Sequence, residues 1–309
     1  MNVIFMGTPE FAVPTLKNLH ENGHEIKLVV TQPDKPSGRG KKLKKSEVKE
    51  AAEQLRLPVF QPDKIKKQEN IQVLKQYNPD VIVVVAYGQI LSREILELPK
   101  YGCINVHASL LPKLRGAAPL NWSIINGETK TGVTTMKMDV GLDTGDMLLK
   151  TEVEITEDMN VGELHDILMY KGADLLIETL DKLEKSEIVP EKQDDSLSDY
   201  APMFNNENRK INWNADAKSI HNLIRGLSPW PTAYFTMDDK SVKVYEASYT
   251  DEKTDYSPGY IIKAEDDGIY VAAGNGTLII KEIQMPGKKK MKVDAYLRGN
   301  NFPEHISLN

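Results

Sequence analysis

The sequence predicts an α/β protein with a Rossmann-like, doubly wound and mostly parallel sheet, followed by a small C-terminal β-barrel of the OB type. Strand-like and helix-like segments alternate through the first half of the 309 residues, which is typical of parallel sheets. Residues 80–86 contain a continuous β-branched run, as expected for a strand buried on both faces. Towards the C-terminus, short strand patterns separated by turn signals indicate a small barrel.

The first element is the apolar run 3–6, which ends at Gly7 and predicts a strand. Apolar residues at helical spacing predict a helix from Pro9 to about Asn22, where Asn22-Gly23 should end it. Further strands are expected at 26–30, 80–86, 104–107, 132–138 and 147–155. Further helices are expected at 46–55, capped by Ser46, and at 70–77, 119–126 and 161–185.

Periodicity stops between residues 190 and 208, which are rich in Asp, Ser, Gln and Asn. This predicts a linker between a domain at 1–189 and a second domain at 209–309. The second domain should begin with a helix at 216–226. Strands should follow at 233–236, 241–247, 259–263, 268–272 and 277–284.

Composition narrows the possible functions. The net charge of −6 gives no overall attraction to nucleic acid, so any such contact requires a local basic patch. A single cysteine, Cys103, excludes a disulfide framework and is interpreted as a small buried residue. No signal-peptide pattern or membrane-length apolar run is evident, so we expect a cytoplasmic protein.

Two patterns near the N-terminus have structural explanations. Residues 20–24 match H-E-x-x-H, but a zinc site needs one continuous helix, and Asn22-Gly23 should end the helix between the two histidines. Gly7-Thr8-Pro9 could hold an anion at a helix start. It lacks the glycines of a dinucleotide site, and a tight strand-to-helix turn explains it equally well.

The main candidate site combines Asn105, His107 and Asp143. Asn105 and His107 are two residues apart on a predicted strand, so they share one face near its C-terminal end. An amide donor beside an imidazole can stabilise an oxyanion and transfer a proton. Asp143, in a glycine-bracketed loop, could reach the same place and orient the imidazole. A purely structural histidine and turn are the alternative.

Two separated segments carry a resemblance. N-V-H-A-S-L-L-P-K-L-R-G at 105–116 and D-V-G-L-D-T-G-D at 139–146 resemble the signature of the 10-formyltetrahydrofolate-dependent formyltransferases. F-M-G-T-P-E-F-A-V-P at 5–14, T-Q-P-D-K-P-S-G-R-G-K-K-L at 31–43, V-V-V-A-Y-G-Q-I-L at 83–91 and S-P-W-P at 228–231 are similar to the members that act on methionyl-tRNA. The resemblance covers essentially the whole chain and implies the formyltransferase fold.

The resemblance implies transfer of a formyl group from 10-formyltetrahydrofolate to the methionine amine of initiator tRNA. It implies that Asn105, His107 and Asp143 are the catalytic residues. It also implies that folate is bound by the loop Ser109, Leu110, Leu111 and Pro112, an apolar turn suited to a flat pterin. We expect the loop 87–91 to help line that pocket, and we expect no metal and a monomer.

A basic segment is the expected tRNA contact. Between Lys35 and Lys49 there are seven basic residues and one acidic residue, a local phosphate-binding patch in an acidic protein. Its proline and glycines predict a mobile loop. The resemblance implies that this loop enters the acceptor stem; the candidate contacts are Arg39, Lys41, Lys42, Lys44 and Lys45. The lysines at 288–292 are a second candidate patch, in a domain expected to bind tRNA.

Two alternatives remain. The same chemistry could act on another amine, as in a nucleotide-sugar formyltransferase, or the enzyme could be a 10-formyltetrahydrofolate hydrolase. The basic loop and the second domain argue against both. A non-catalytic RNA-binding protein is the other alternative, and the intact set Asn105, His107 and Asp143 argues against it.

Overall fold

The computed structural model describes residues 1–37 and 42–308. The strands are β1 (Asn2–Gly7), β2 (Glu25–Val30), β3 (Lys35–Ser37), β4 (Lys42–Lys44), β5 (Val59–Phe60), β6 (Val81–Val85), β7 (Cys103–His107), β8 (Arg115–Gly116), β9 (Lys130–Lys137), β10 (Asp146–Glu154), β11 (Tyr200–Ala201), β12 (Ala233–Met237), β13 (Lys240–Thr250), β14 (Ile261–Glu265), β15 (Gly268–Ala272), β16 (Thr277–Gln284) and β17 (Met291–Lys292). The helices are α1 (Val13–Glu21), α2 (Glu47–Gln54), α3 (Gln68–Gln76), α4 (Arg93–Leu96), α5 (Pro119–Ile125), α6 (Val161–Glu184), α7 (Ala217–Leu227) and α8 (Val293–Leu297).

The chain forms two compact units that are discontinuous in sequence. The first unit comprises Met1–Gly116, Thr131–Val153 and His165–Tyr200. The second unit comprises Ala117–Lys130, Glu154–Leu164 and Ala201–Asn309. Two stretches that precede residue 165 therefore belong to the second unit.

The first unit is built on a seven-stranded sheet in the order β10-β9-β7-β6-β1-β2-β5. Strands β5, β2, β1, β6 and β7 are parallel, and β9 is antiparallel to β7. The chain adds β2 and β5 on one side of β1 and then places β6 and β7 on the other side. The switch point of the topology lies between β1 and β6, where sheets of this class bind ligands. The predicted doubly wound, mostly parallel sheet is confirmed.

Local sequence explains the principal elements of this unit. All five residues of β6 are buried, and burying each such side chain stabilises the fold by about 1.5–3 kcal/mol. The Ser46 hydroxyl accepts a hydrogen bond from the Lys49 backbone N–H (3.1 Å) and caps α2, as predicted. Helix α1 ends at Glu21, and Gly23 has a φ of +77°. His20 and His24 therefore do not share one continuous helix.

Some boundaries differ from the predictions. The expected helix 9–22 is a 3-10 turn, Glu10–Ala12, followed by α1, with Pro14 in the first turn of α1. The short elements β5, α4, β17 and α8 were not predicted, because two to five residues carry too little periodicity. Of the described helices, none has both the length and the apolar character needed to cross a bilayer.

The basic segment was predicted to be a loop at 32–45, and this prediction is wrong for the described residues 35–37 and 42–44, which form strands. β3 and β4 pair antiparallel, with Lys35 opposite Lys44 and Pro36 opposite Leu43. Three-residue strands containing lysine and proline show no alternation of apolar and polar residues, so the sequence pattern did not indicate them. We call β3 and β4 together the basic ribbon.

The second unit contains α7 and a six-stranded antiparallel sheet in the order β12-β13-β16-β15-β14, with β17 beside β16. One helix and five strands were predicted here, and all are confirmed. Trp213, Phe235 and Val271 belong to one hydrophobic core cluster of this unit. Asp216 caps α7 by accepting a hydrogen bond from the Ser219 backbone N–H (2.8 Å). This arrangement is consistent with the predicted small barrel.

Candidate active site

Strand β7 brings two of the predicted site residues together. Asn105 and His107 share one face of the strand, and 8% and 6% of their surfaces are exposed. Val106 points to the other face, where a Cβ on Gly172 of α6 would lie 2.9 Å from its Cγ1. Glycine at position 172 therefore allows α6 to pack closely against the Val106 face of β7. The opposite face, which carries Asn105 and His107, is left for ligand chemistry.

One ring nitrogen of His107 has a fixed role. The His107 Nε2 lies 3.0 Å from the Leu114 carbonyl oxygen. Because a carbonyl only accepts hydrogen bonds, Nε2 carries a hydrogen, and Nδ1 is left for chemistry. Leu114 has a φ of +57°, a backbone conformation that is unusual for a bulky residue and is often found at functional sites. That turn directs the carbonyl onto the imidazole.

Asp143 lies beside the free nitrogen of His107. Its Oδ2 is 3.8 Å from His107 Nδ1, too far for a direct hydrogen bond. The same oxygen accepts a hydrogen bond from the Gly116 backbone N–H at 2.9 Å. Asp143 has a φ of +54°, which aspartate tolerates better than most residues. A Cβ on Gly145 would lie 1.9 Å from the Lys137 carbonyl oxygen, so the loop needs glycine there.

The predicted site residues Asn105, His107 and Asp143 therefore lie within the first unit, with the last two adjacent. Among the described residues, none hydrogen-bonds the Asn105 side-chain amide, and its atoms are not fully enclosed. An amide that is not engaged by the protein can donate to an oxygen of a bound molecule. The arrangement offers an N–H donor, an imidazole and a carboxylate, which suits proton transfer and oxyanion stabilisation.

The predicted folate loop, Ser109 to Pro112, is a turn in which buried and half-buried residues alternate. Ser109 is fully buried, and its hydroxyl donates to the Lys113 carbonyl oxygen at 2.7 Å. Leu111 is buried, and its N–H donates to the Thr134 hydroxyl at 3.1 Å. Leu110 and Pro112 are half-buried. Side-chain contact with a ligand is therefore available mainly from Leu110 and Pro112.

Several residues around the site were not predicted from the sequence. Gln193 and Asp199, in the segment predicted as a linker, contact the site loops: Gln193 donates to the carbonyl oxygens of Asp143 and Gly145, and Asp199 accepts from the Leu114 N–H. No local pattern signals this, because these partners are 48, 50 and 85 positions apart in the chain. The R-G pair at 115–116, which belongs to the resemblance, was the one indication that the segment contacting Gln193 and Asp199 is part of the site.

Cys103 lies two residues before Asn105 on the same strand. It is fully buried, and burial raises the pKa of its thiol to about 12. A thiol with such a pKa is not a nucleophile near neutral pH. The interpretation of Cys103 as a small buried residue is confirmed.

The predicted tRNA contacts are only partly described. Arg39 and Lys41 lie outside the described residues, as does the side chain of Lys42. Lys44 and Lys45 form ion pairs with Glu47 and Glu53 of α2, each at 2.6 Å. Hydrogen bonding to these carboxylates raises the pKa of both lysines. The two lysines are therefore charged and partly exposed.

Residues 1–180 match the family model for formyl transferase, and residues 204–301 match the model for the formyl transferase C-terminal domain. The chain belongs to the formyl transferase family. Over 309 residues, 100% of this chain and 99% of the relative, it is 56% identical to the methionyl-tRNA formyltransferase of Clostridium acetobutylicum. The corresponding protein of Citrifermentans bemidjiense is 54% identical over 299 residues, 97% of this chain and 93% of the relative. The resemblance noted from the motifs is confirmed.

Solved structures show the same fold at low identity. The N-formyltransferase from Helicobacter canadensis in complex with folinic acid and dTDP-3-aminofucose has a TM-score of 0.69 and 21% identity, covering 94% of this chain and 99% of that one. HypX from Aquifex aeolicus in complex with tetrahydrofolic acid has a TM-score of 0.65 and 18% identity, covering 97% of this chain. This chain spans about half of HypX, 47% of its length.

Proposed function

We propose that this enzyme transfers the formyl group of 10-formyltetrahydrofolate to the α-amino group of methionine on initiator tRNA. The observation that carries the proposal is the 56% identity over the whole chain, through both units, to a protein named methionyl-tRNA formyltransferase. The N-formyltransferase from Helicobacter canadensis, whose structure holds dTDP-3-aminofucose, is only 21% identical. The product, N-formylmethionyl-tRNA, would serve translation initiation.

Asn105, His107 and Asp143 are the proposed catalytic residues. The methionine amine attacks the formyl carbon, a C–N bond forms, and the formyl oxygen becomes an oxyanion. The Asn105 amide donates to that oxygen, as does His107 through Nδ1 when the ring is protonated. A well-placed donor of this kind contributes about 3–4 kcal/mol to lowering the barrier.

The second half of the reaction breaks the bond between the formyl carbon and N10 of the folate. The amine gives up a proton, and N10 receives one as it leaves. Asp143 is the proposed carrier, directly or through water, because its carboxylate lies beside His107 and is 15% exposed. No covalent bond to the enzyme is needed, in agreement with the buried thiol of Cys103.

The folate would bind against the turn 109–112. Leu110 and Pro112 offer partly exposed apolar surface, and Ser109 and Leu111 hold the turn through buried hydrogen bonds. The loop 87–91 follows β6 at the same edge of the sheet, next to the switch point, and Ile90 is 84% exposed there. A flat pterin fits such apolar surfaces with backbone groups at its edges.

The tRNA would bind the basic ribbon and its connecting residues, through Arg39, Lys41, Lys42, Lys44 and Lys45. In the second unit, Lys290 and Lys292 pair with Glu282 and Glu246. For Lys288 and Lys289, the described part of the chain offers no ion-pair partner, so both charges are available to phosphates.

We propose residues 1–189 as the catalytic domain, 190–208 as the connection and 209–309 as the tRNA-binding domain. The enzyme would act as a monomer in the cytoplasm.

An acceptor comparison tests this function. Formyl transfer would be measured from 10-formyltetrahydrofolate to charged initiator tRNA, charged elongator methionyl-tRNA, a nucleotide-linked amino sugar and water. We expect kcat/KM for initiator methionyl-tRNA to exceed that for the amino sugar by more than about 100-fold, since ribbon and barrel contacts act only on tRNA. Preferential formylation of the amino sugar, or hydrolysis at a similar rate, would contradict the proposal.

A further inference from the structure

Gln193 is buried, although it lies in the segment 190–208 that the sequence predicts as a linker. It is 6% exposed, and its side-chain NH₂ donates to two carbonyl oxygens, of Asp143 at 2.8 Å and of Gly145 at 2.7 Å. Both hydrogens of the amide are therefore used on the loop that carries the proposed carboxylate. Its flanking residues, Lys192 and Asp194, are exposed.

The acceptor side of the same amide is also occupied. Gln193 Oε1 accepts a hydrogen bond from Arg115 Nε at 3.0 Å, and Arg115 is only 9% exposed. Arg115 follows Leu114, whose carbonyl holds His107, and precedes Gly116, whose N–H holds the Asp143 carboxylate. One buried amide thus connects the backbone of the Asp143 loop with the side chain of Arg115, the residue between the two backbone groups that contact His107 and Asp143.

The Asp143 loop has few other fixed points. Val140 and Leu142 are 64% and 57% exposed. Asp139 accepts hydrogen bonds from the Gly141 N–H and the Thr144 hydroxyl, but these lie within the loop itself. Outside the bonds from Gln193, the Gly116 N–H holds the Asp143 carboxylate alone, and this single bond does not define the position of the loop backbone. The buried bonds from Gln193 do, because leaving those carbonyls unpaired is unfavourable.

We propose that Gln193, oriented by Arg115, is a positioning residue that holds Asp143 at the reacting end of His107. This proposal rests on the catalytic role proposed above for Asp143. Gln193 acts through the backbone of residues 143–145 and does not contact the substrates. Misplacement of a catalytic group by about 1 Å can lower turnover by about 100-fold.

The test uses the full-length enzyme and steady-state formyl transfer to charged initiator tRNA. Gln193→Leu removes all three hydrogen bonds, and Gln193→Asn keeps the amide but withdraws it by one methylene. We expect both variants to lower kcat by about 10–100-fold with the KM values for folate and tRNA changed by less than about 3-fold. Lys192→Ala, the exposed neighbour, is the matched control and should retain the wild-type kcat.

A double-mutant cycle separates positioning from a general structural role. Asp143→Asn should lower kcat strongly by itself. In that background, Gln193→Leu should add less than about 3-fold, because Gln193 acts through the carboxylate that is already absent. A purely structural role would instead lower kcat by the same factor in both backgrounds, and that result would overturn the proposal.

The remaining outcomes are also decisive. If Gln193→Leu does not fold, as judged by circular dichroism, the same cycle with Gln193→Asn decides the question. Wild-type kcat in folded Gln193 variants, with Asp143→Asn inactive, would overturn the positioning role and leave the proposed function intact. Wild-type kcat in Asp143→Asn would overturn both the catalytic assignment and this inference.

Discussion

At the scale of single residues, backbone groups set the positions of His107 and Asp143. The Leu114 carbonyl oxygen accepts a hydrogen bond from His107 Nε2, and the Gly116 N–H donates one to Asp143 Oδ2. His107 Nδ1 therefore faces Asp143 across 3.8 Å without a direct bond. The carboxylate and the imidazole lie side by side, as the proposed passage of a proton from an amine to a leaving nitrogen requires.

Replacing His107 or Asp143 by alanine should abolish formyl transfer, and Asn105→Ala should lower kcat by about 100–1,000-fold because an oxyanion donor is removed. Binding of charged tRNA, measured by filter binding, should be nearly unchanged. The control is Asp146→Asn, an exposed aspartate three residues from Asp143, which should turn over normally. Near-normal turnover of His107→Ala or Asp143→Ala would refute the catalytic assignment.

At the scale of elements, α7 illustrates how one capping residue couples stability to pH. Hydrogen bonds from the Ser219 hydroxyl and backbone N–H hold the pKa of Asp216 below its usual value. A depressed pKa in the folded protein means that the ionised carboxylate contributes stability. This contribution is complete above the unfolded pKa, near 3.8, and is lost as pH falls through the lower folded pKa.

Asp216→Ala should therefore lower the free energy of unfolding of the second unit by about 1 kcal/mol at neutral pH. The difference from the wild type should shrink as the pH falls below about 3.8. Urea unfolding can be followed by tryptophan fluorescence, since all three tryptophans (Trp122, Trp213 and Trp230) belong to the second unit.

Asp216→Asn is the matched control for this experiment, because it keeps a capping oxygen but does not titrate. It should retain most of the stability at neutral pH. A wild-type advantage over Asp216→Ala that stays constant from neutral to strongly acidic pH would contradict the argument.

At the end of the basic ribbon, Lys44 and the adjacent Lys45 form surface ion pairs. Lys44 and Lys45 pair with Glu47 and Glu53 on the surface of α2. Exposed ion pairs of this kind contribute about 0–1 kcal/mol. Phosphate groups can therefore displace the carboxylates at little cost, which is compatible with the proposed contact of these two lysines with tRNA.

At the scale of the whole molecule, the chain is acidic, with a net charge of −6, so tRNA must be attracted by local patches. We expect Lys41→Gln/Lys42→Gln and Lys288→Gln/Lys289→Gln each to raise the KM for charged tRNA with little change in kcat. For every lysine–phosphate interaction that is removed, the slope of log affinity against log salt should fall by about 0.7–0.9.

The control for charge alone is Lys66→Gln/Lys67→Gln, which makes the same change in net charge at exposed residues outside both patches. It should leave affinity and slope almost unaltered. Salt slopes that are identical in all the variants and the wild type would exclude both patches as phosphate-binding surfaces.

Much of the fold follows from local pattern. The β-branched run at 81–85 could be assigned to a buried parallel strand, and Ser46 and Asn22-Gly23 marked helix ends that the structure confirms. The basic ribbon was missed because its strands are three residues long and carry lysine and proline. Short elements are held by their pairing with other segments, which leaves no periodic signal of their own.

Sequence pattern alone specified the alternating strands and helices, the shared face of Asn105 and His107, and the family to which the chain belongs. Only the tertiary structure decided that the Leu114 carbonyl orients His107 and that Gln193 anchors the Asp143 loop. The physical reason is distance along the chain. Periodicity and capping act within a few residues, whereas a hydrogen bond between Gln193 and Asp143 depends on the path of the fifty residues between them.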